Sequence, residues 1–151
     1  MFVYVAGAYT SDPEGNTQIA IKVSHALMDM GHTPFCPHLC HYMHLQRSRD
    51  YEEWLRYDFL WLAKCDVLVR FKGNSPGGDR EEAFAAKLGI PILFLDQEEK
   101  VSWESLKISL QRLTESLKAT AGGITTTRSQ TISELQRCGT PTCTAGGCRP
   151  V

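Results

Sequence analysis

The stretch "NSPGGDREEA", Asn74 to Ala83, combines two kinds of chemistry that should avoid each other. Ser75, Gly77 and Gly78 at a helix N-terminus would offer free backbone N–H groups, a hydroxyl and the positive end of the helix dipole, which together suit an anionic oxygen such as a phosphate's. Three of the next four residues are acids. Asp79 and Glu82 have the spacing of a capping box, a structural role. That leaves Glu81. In the first helical turn the dipole favours its ionised form, so it could act as a carboxylate nucleophile at neutral pH without a metal; it could equally be an ordinary surface glutamate at a helix start. Asp58, among Trp54, Tyr57, Phe59, Trp61 and Leu62, has surroundings that raise a carboxyl pKa and make a proton donor. It could also lie on the wet stripe of an amphipathic helix. Tyr4, inside a β-rich run, is either a core aromatic or a hydroxyl that orients a carboxylate.

The elements that must position these residues follow from the apolar pattern. "MFVYVAG" reads as a strand ending at Gly7, followed by a loop of Ser, Asp, Pro, Gly and Asn. Helical spacing runs from Thr17 to Met30, with Asn16 as N-cap and Gly31 as the stop. "HTPFCP" is a short second strand, and the polar and aromatic stretch to Arg49 has no legible order. Asp50 and Glu53 form a capping box opening a helix through Lys64, a largely enclosed one. "DVLVRF" is a strand, "KGNSPGG" its loop, "DREEAFAAKLG" a helix closed by Gly89, and "IPILFL" a further strand. "WESLKISLQRLTESLKA" is a last amphipathic helix. This alternation predicts an α/β fold of the flavodoxin-like or Rossmann-like kind, a three-layer arrangement with a parallel sheet flanked by helices on both faces. Ligands then bind beyond the carboxyl ends of the strands where strand order reverses, which sets the Gly7–Asn16 loop beside the Lys72–Gly78 loop.

The chain has 151 residues, 42% apolar and 22% charged, with a net charge of -1. One domain, residues 1–119, is predicted, with 120–151 as a disordered C-terminal tail rich in Gly, Thr, Ser and Cys. The charge excludes a cationic field able to hold a nucleic-acid polymer, and no apolar run is long enough for a membrane span. With no basic leader or cleavage site at the start, the expected location is the cytoplasm, and the six cysteines are expected to be reduced thiols.

Four segments in order, "VYVAGAY", "PFCPH", "YDFLWLAKCDVLV" and "SPGGDREEAFAAKLGIPI", resemble the nucleoside 2-deoxyribosyltransferase superfamily, in a short branch. The resemblance covers roughly the first two thirds of the chain. It implies that Glu81 attacks the anomeric carbon of a (deoxy)nucleoside or its 5′-monophosphate, that Tyr4 holds Glu81 in place, and that Asp58 serves the departing base. It further implies substrate-binding positions at Gly7, Tyr9, His38, Ser75, Gly77 and Gly78. Where transferases of free nucleosides tend to carry an acid, this chain has Ser75, as in the related deoxynucleoside 5′-monophosphate N-glycosidases, where a serine hydroxyl meets phosphate. The resemblance therefore favours a nucleotide, with the amides receiving phosphate and Glu81 facing the sugar. It implies no cofactor, and a homo-oligomer in which subunits complete one another's sites.

"CPHLCHYMH" offers Cys36, His38, Cys40, His41 and His44 as zinc ligands, but fits no standard spacing, so no metal is expected. Cys138, Cys143 and Cys148 lack a fourth ligand. Trp54 and Trp61 read as core or subunit contacts rather than a base-stacking platform. A second function class stays open: a nucleotide-binding sensor that kept the fold without catalysis.

Overall fold

The computed structural model describes residues 1–71, 73–95, 103–119 and 125–137. In chain order these form β1 (Phe2–Ala6), α1 (Pro13–Asp29), β2 (Thr33–Phe35), a 3₁₀ turn (Pro37–Leu39), α2 (Cys40–Gln46), α3 (Tyr51–Leu62), β3 (Val67–Phe71), α4 (Pro76–Lys87), β4 (Ile92–Leu95), α5 (Trp103–Ala119) and α6 (Thr125–Arg137). The four strands make one sheet in the order β2-β1-β3-β4, every pairing parallel. This is the expected α/β architecture, with the reversal of strand order between β1 and β3.

Alternation along the two central strands divides the interior into two cores. Val3 and Val5 of β1 with Val67, Val69 and Phe71 of β3 face one side, where Ala20, Val23 and Leu27 of α1 and Leu106 and Leu110 of α5 cover them. Tyr4, Ala6 and Leu68 face the other side, against Leu62 of α3 and Ala85 of α4. Burying each large aliphatic side chain contributes about 1.5–3 kcal/mol, so both faces are needed to hold so small a sheet. The register pairs Tyr4 with Leu68 and Ala6 with Arg70. Arg70 therefore points to the Tyr4 side, into the interior rather than solvent.

Several boundaries differ from the sequence expectation for local reasons. α1 begins at Pro13, not Thr17, because Asp12 caps it by accepting from the Gly15 N–H at 3.1 Å. Proline suits that position, since its missing N–H would be unpaired there anyway. α4 begins at Pro76, so Gly77 and Gly78 belong to its first turn and not to the preceding loop. Its cap is Ser75, and Asp79 and Glu82 make no capping box; both turn to Arg70 instead. Asp50 caps α3 without a side-chain hydrogen bond, and Glu53 pairs with Arg49 at 2.7 Å instead of completing a capping box. Gly31 and Gly89, at φ of 80° and 66°, end α1 and α4 in the left-handed conformation that glycine adopts freely. The stretch without legible order before Arg49 contains the 3₁₀ turn and α2.

The predicted unpacked tail is corrected over residues 125–137, which form α6. Ile132 packs against the Tyr4-side core, and Leu135, one turn on, is half-buried as well. That apolar pair in "TISELQR" gives the helix an inner stripe. Residues 120–124 and 138–151, with the three tail cysteines, lie outside the described residues.

Gly7 ends β1 where the chain passes beneath Phe71: a Cβ there would lie 2.1 Å from the ring's Cδ2. Gly7→Ala is expected to lower stability by about 1–3 kcal/mol through overpacking, read from the urea midpoint. In a Phe71→Leu background the added cost of the alanine should shrink.

Candidate active site

The carboxyl ends of β1 and β3 open into a cavity of about 440 Å³, within the range of roughly 300–1,000 Å³ usual for small-molecule sites. Its walls bring together Gly7, Tyr9, His38, Asp58, Ser75, Gly77, Gly78 and Glu81, eight of the nine positions singled out in the sequence. Tyr4, the ninth, lies beneath the floor, wholly buried.

The floor is a hydrogen bond of 2.6 Å from the Tyr4 hydroxyl to Glu81 Oε1. It joins the central strand to α4. Burial, followed by the negative charges of Glu81 and Asp58, pushes the Tyr4 hydroxyl well above its ordinary pKa, so it stays a donor. Glu81 departs from expectation. The dipole was expected to keep it ionised, yet burial dominates and lifts it to about 7, with the Tyr4 hydrogen bond and then the Arg70 charge opposing the rise. Asp58 rises further, to about 8, through burial and then the charge of Glu81. Its Oδ1 is enclosed and has no hydrogen-bond partner, an arrangement that disfavours the charged form. Both carboxyls therefore hold their protons above the ordinary carboxylate range.

Ser75 knots the mouth of the site. Its hydroxyl donates to the Gly7 carbonyl at 3.1 Å and accepts from the Gly78 N–H at 3.1 Å, joining the ends of β1 and α4. Asp79 N–H takes the Ser75 carbonyl, and Pro76 has no N–H, which leaves Gly77 as the first-turn amide not engaged by Ser75. The anion cradle is thus narrower than the sequence suggested.

Opposite, His38 presents Nε2 to the Ala8 carbonyl at 3.0 Å. A carbonyl only accepts, so Nε2 carries the proton, and burial lowers the ring's pKa and keeps it neutral. The other possible zinc ligands are used elsewhere: Cys36 packs in the α1-side core, His41 bonds the Tyr9 hydroxyl, and His44 Nδ1 accepts from Trp54 Nε1 at 2.8 Å. Cys40 is held as a thiol, pushed up to about 11 by burial and then by the Asp58 charge. Among the described residues, no group of three or more His, Cys, Asp or Glu side chains is arranged to hold a metal ion.

Some cavity residues had not been singled out. Trp54 lines the wall, whereas Trp61 stacks on Phe35 outside the cavity, centroids 4.9 Å apart. Tyr51 and Arg49 also line it. The aromatic and histidine density before Arg49 was the available signal. Arg70, a charge inside the apolar strand "VLVRF", was a clearer one.

Residues 1–95, which contain the whole cavity, match a family described as a domain of unknown function, DUF7768. The chain belongs to that family. Its fold is similar to that of the 2-deoxyribosyltransferase of the psychrotolerant bacterium Bacillus psychrosaccharolyticus, described as a biocatalyst for the synthesis of antiviral and antitumoral nucleosides. The likeness has a TM-score of 0.54 at 17% identity and covers 71% of this chain and 90% of that one. At that identity it shows the fold. No curated protein matches the chain. No helix among the described residues is long and apolar enough to cross a membrane.

Both folded carboxyls titrate above the ordinary carboxylate range, so at intermediate pH the native state holds protons that the unfolded chain has released. Their contribution is full at acid pH and is lost as pH climbs through about 7 and about 8. The melting temperature should therefore fall between pH 5 and pH 9, and Glu81→Gln and Asp58→Asn should each flatten the slope; at about 2–4 °C per kcal/mol for a chain of this size, scanning calorimetry resolves it.

Proposed function

We propose that this protein cleaves the N-glycosidic bond of a (deoxy)nucleoside 5′-monophosphate or nucleoside, with Glu81 as nucleophile and a covalent glycosyl-enzyme intermediate. The observation that carries the reading is the Tyr4–Glu81 hydrogen bond buried under a cavity that also holds Asp58. Tyr4 engages one carboxylate oxygen and leaves the other for attack. Two carboxyls whose environments separate their titrations are what a double displacement requires, one ionised and one protonated.

In the first step a Glu81 oxygen bonds to the anomeric carbon and the carbon–nitrogen bond breaks. Its electron pair leaves with the base, which takes the Asp58 proton. In the second step water, or a second base, attacks the same carbon while the now ionised Asp58 accepts the attacker's proton, and Glu81 leaves as carboxylate. Between Glu81's titration and Asp58's, the free protein carries the required pair of protonation states. The aromatic wall of Tyr9, Tyr51 and Trp54 suits a flat base. The similarity in fold to a 2-deoxyribosyltransferase supports the same class of bond. The monophosphate is the favoured substrate: the head of α4 carries Ser75, the serine that the resemblance links to a 5′-phosphate, and Gly77 and Arg49 stand in the same cavity wall as partners for phosphate oxygens.

Incubation with single deoxynucleoside 5′-monophosphates and the parent nucleosides, followed by chromatography for free base, tests this. Base release is expected, with a bell-shaped kcat/KM profile whose limbs fall near about 7 and about 8. Glu81→Ala should reduce release by on the order of 10³-fold or more and abolish the mass increment of the glycosyl-protein, while Asp58→Asn should remove the alkaline limb. Tight nucleotide binding with no base released by the wild type would sink the enzyme and favour the sensor.

A further inference from the structure

Arg70 is a guanidinium in the interior, 3% exposed, in the middle of a strand whose other residues are apolar. Such a charge is costly unless it is paired. Its partners lie on α4: Nη2 donates to Asp79 Oδ1 at 2.8 Å and to the Ser75 carbonyl at 3.5 Å, and Nε lies 3.8 Å from Glu82 Oε2. Nη1 has no partner. The group is pressed against Gly78, where an added Cβ would fall 2.3 Å from Nη1. Tyr4, which bonds Glu81, and Arg70 lie on the same face of neighbouring strands two register positions apart, so the phenol and the guanidinium both face the first turns of α4. Asp79 and Glu82 are the more exposed acids, with side chains 68% and 38% accessible, while Glu81 is buried.

We propose that Arg70 is the positioning residue of the site: it anchors the first turn of α4 from below and supplies the buried positive charge that holds the Glu81 carboxylate, with Asp79 and Glu82 bounding the guanidinium on the solvent side. The groups acting on Glu81 come from three elements packed against α4: Tyr4 of β1 by hydrogen bond, Arg70 of β3 by attraction, and Asp58 of α3 through mutual repulsion. His38, His41, His44 and Arg49 line the same cavity. Among the described residues, the Arg70 charge joins the Tyr4 hydrogen bond in opposing the rise that burial imposes on Glu81. The two outer acids then have a task of their own. Each draws the guanidinium's field away from Glu81, so they moderate the nucleophile's acidity while keeping Arg70 neutralised. The catalytic consequence rests on the function proposed above; the electrostatic arrangement does not.

The decisive measurement is the titration of the Glu81 side-chain carboxyl by ¹³C NMR in the ligand-free protein, its resonance identified by its loss in Glu81→Gln. In Arg70→Met the midpoint should move up by about one pH unit or more, a tenfold rise in proton affinity. Arg70→Lys, which keeps the charge without the planar fork, should fall between Arg70→Met and wild type. Asp79→Asn, which keeps a side-chain oxygen to accept from Nη2 while removing the charge, should move the midpoint down. Where base release is measurable, the acidic limb of its pH profile should shift by the same amounts; wild-type protein that releases no base would count against the proposed function while leaving the NMR result standing. A folded Arg70→Met with an unmoved Glu81 midpoint overturns the proposal. Should that variant fail to fold, unmoved midpoints in both Arg70→Lys and Asp79→Asn overturn it equally.

Discussion

The arrangement of the cavity turns on one hydrogen bond, from the Tyr4 hydroxyl to Glu81. The bond is short and buried, and it spans two elements that meet only because β1 and β3 are neighbours. Without it Glu81 would be a buried carboxyl facing Asp58 with only Arg70 to offset the repulsion. With it, one oxygen is fixed and the acid is held nearer to ionisation than burial alone would allow. The strand order does the rest: chain leaves β1 and β3 in opposite directions, so their following loops part and leave a space above the bond.

The apparent conflict in "NSPGGDREEA" resolves through division of labour around the helix. Ser75 caps the turn and ties it to β1, Asp79 and Glu82 answer the buried arginine, and Glu81 faces the cavity. Acids are favoured at an amide-rich turn by the positive end of the helix dipole, and a guanidinium underneath answers two of them. Three carboxylates thus crowd about one turn of helix, two of them paired with one positive group.

The strands and most helices were legible because their apolar periodicities are unambiguous: "MFVYVAG", "DVLVRF" and the last amphipathic helix each lie within a residue or two of their predicted place. Helix starts were less so. Asp12 and Ser75 win the caps over Asn16 and Asp79 because a proline immediately follows each, a local preference that outranks the start of the apolar pattern. The positions of Tyr4, Asp58 and Glu81 could be singled out from residue type and family resemblance, but not their electrostatics. The dipole argument for Glu81 considered one helix, whereas the pKa is set by burial between two helices and a sheet. Arg70 was overlooked for a similar reason: its partners are nine and twelve residues ahead, and only the register of β3 under α4 shows that it points inward. α6 escaped because an Ile132 and Leu135 stripe is short, and its worth depends on a surface that the sequence does not display.

The pairing of Ala6 with Arg70 has a wider meaning for how such a chain can vary. Because neighbouring side chains on a strand point oppositely, sliding β1 by a single position would exchange Tyr4 for a valine on the α4 side and bring a phenol into the aliphatic layer under α1. Mispaired molecules would lose packing and reactive geometry in the same event. One change of register would therefore undo the packing and the floor of the cavity together, so added residues are accommodated in the loops and not in the two inner strands.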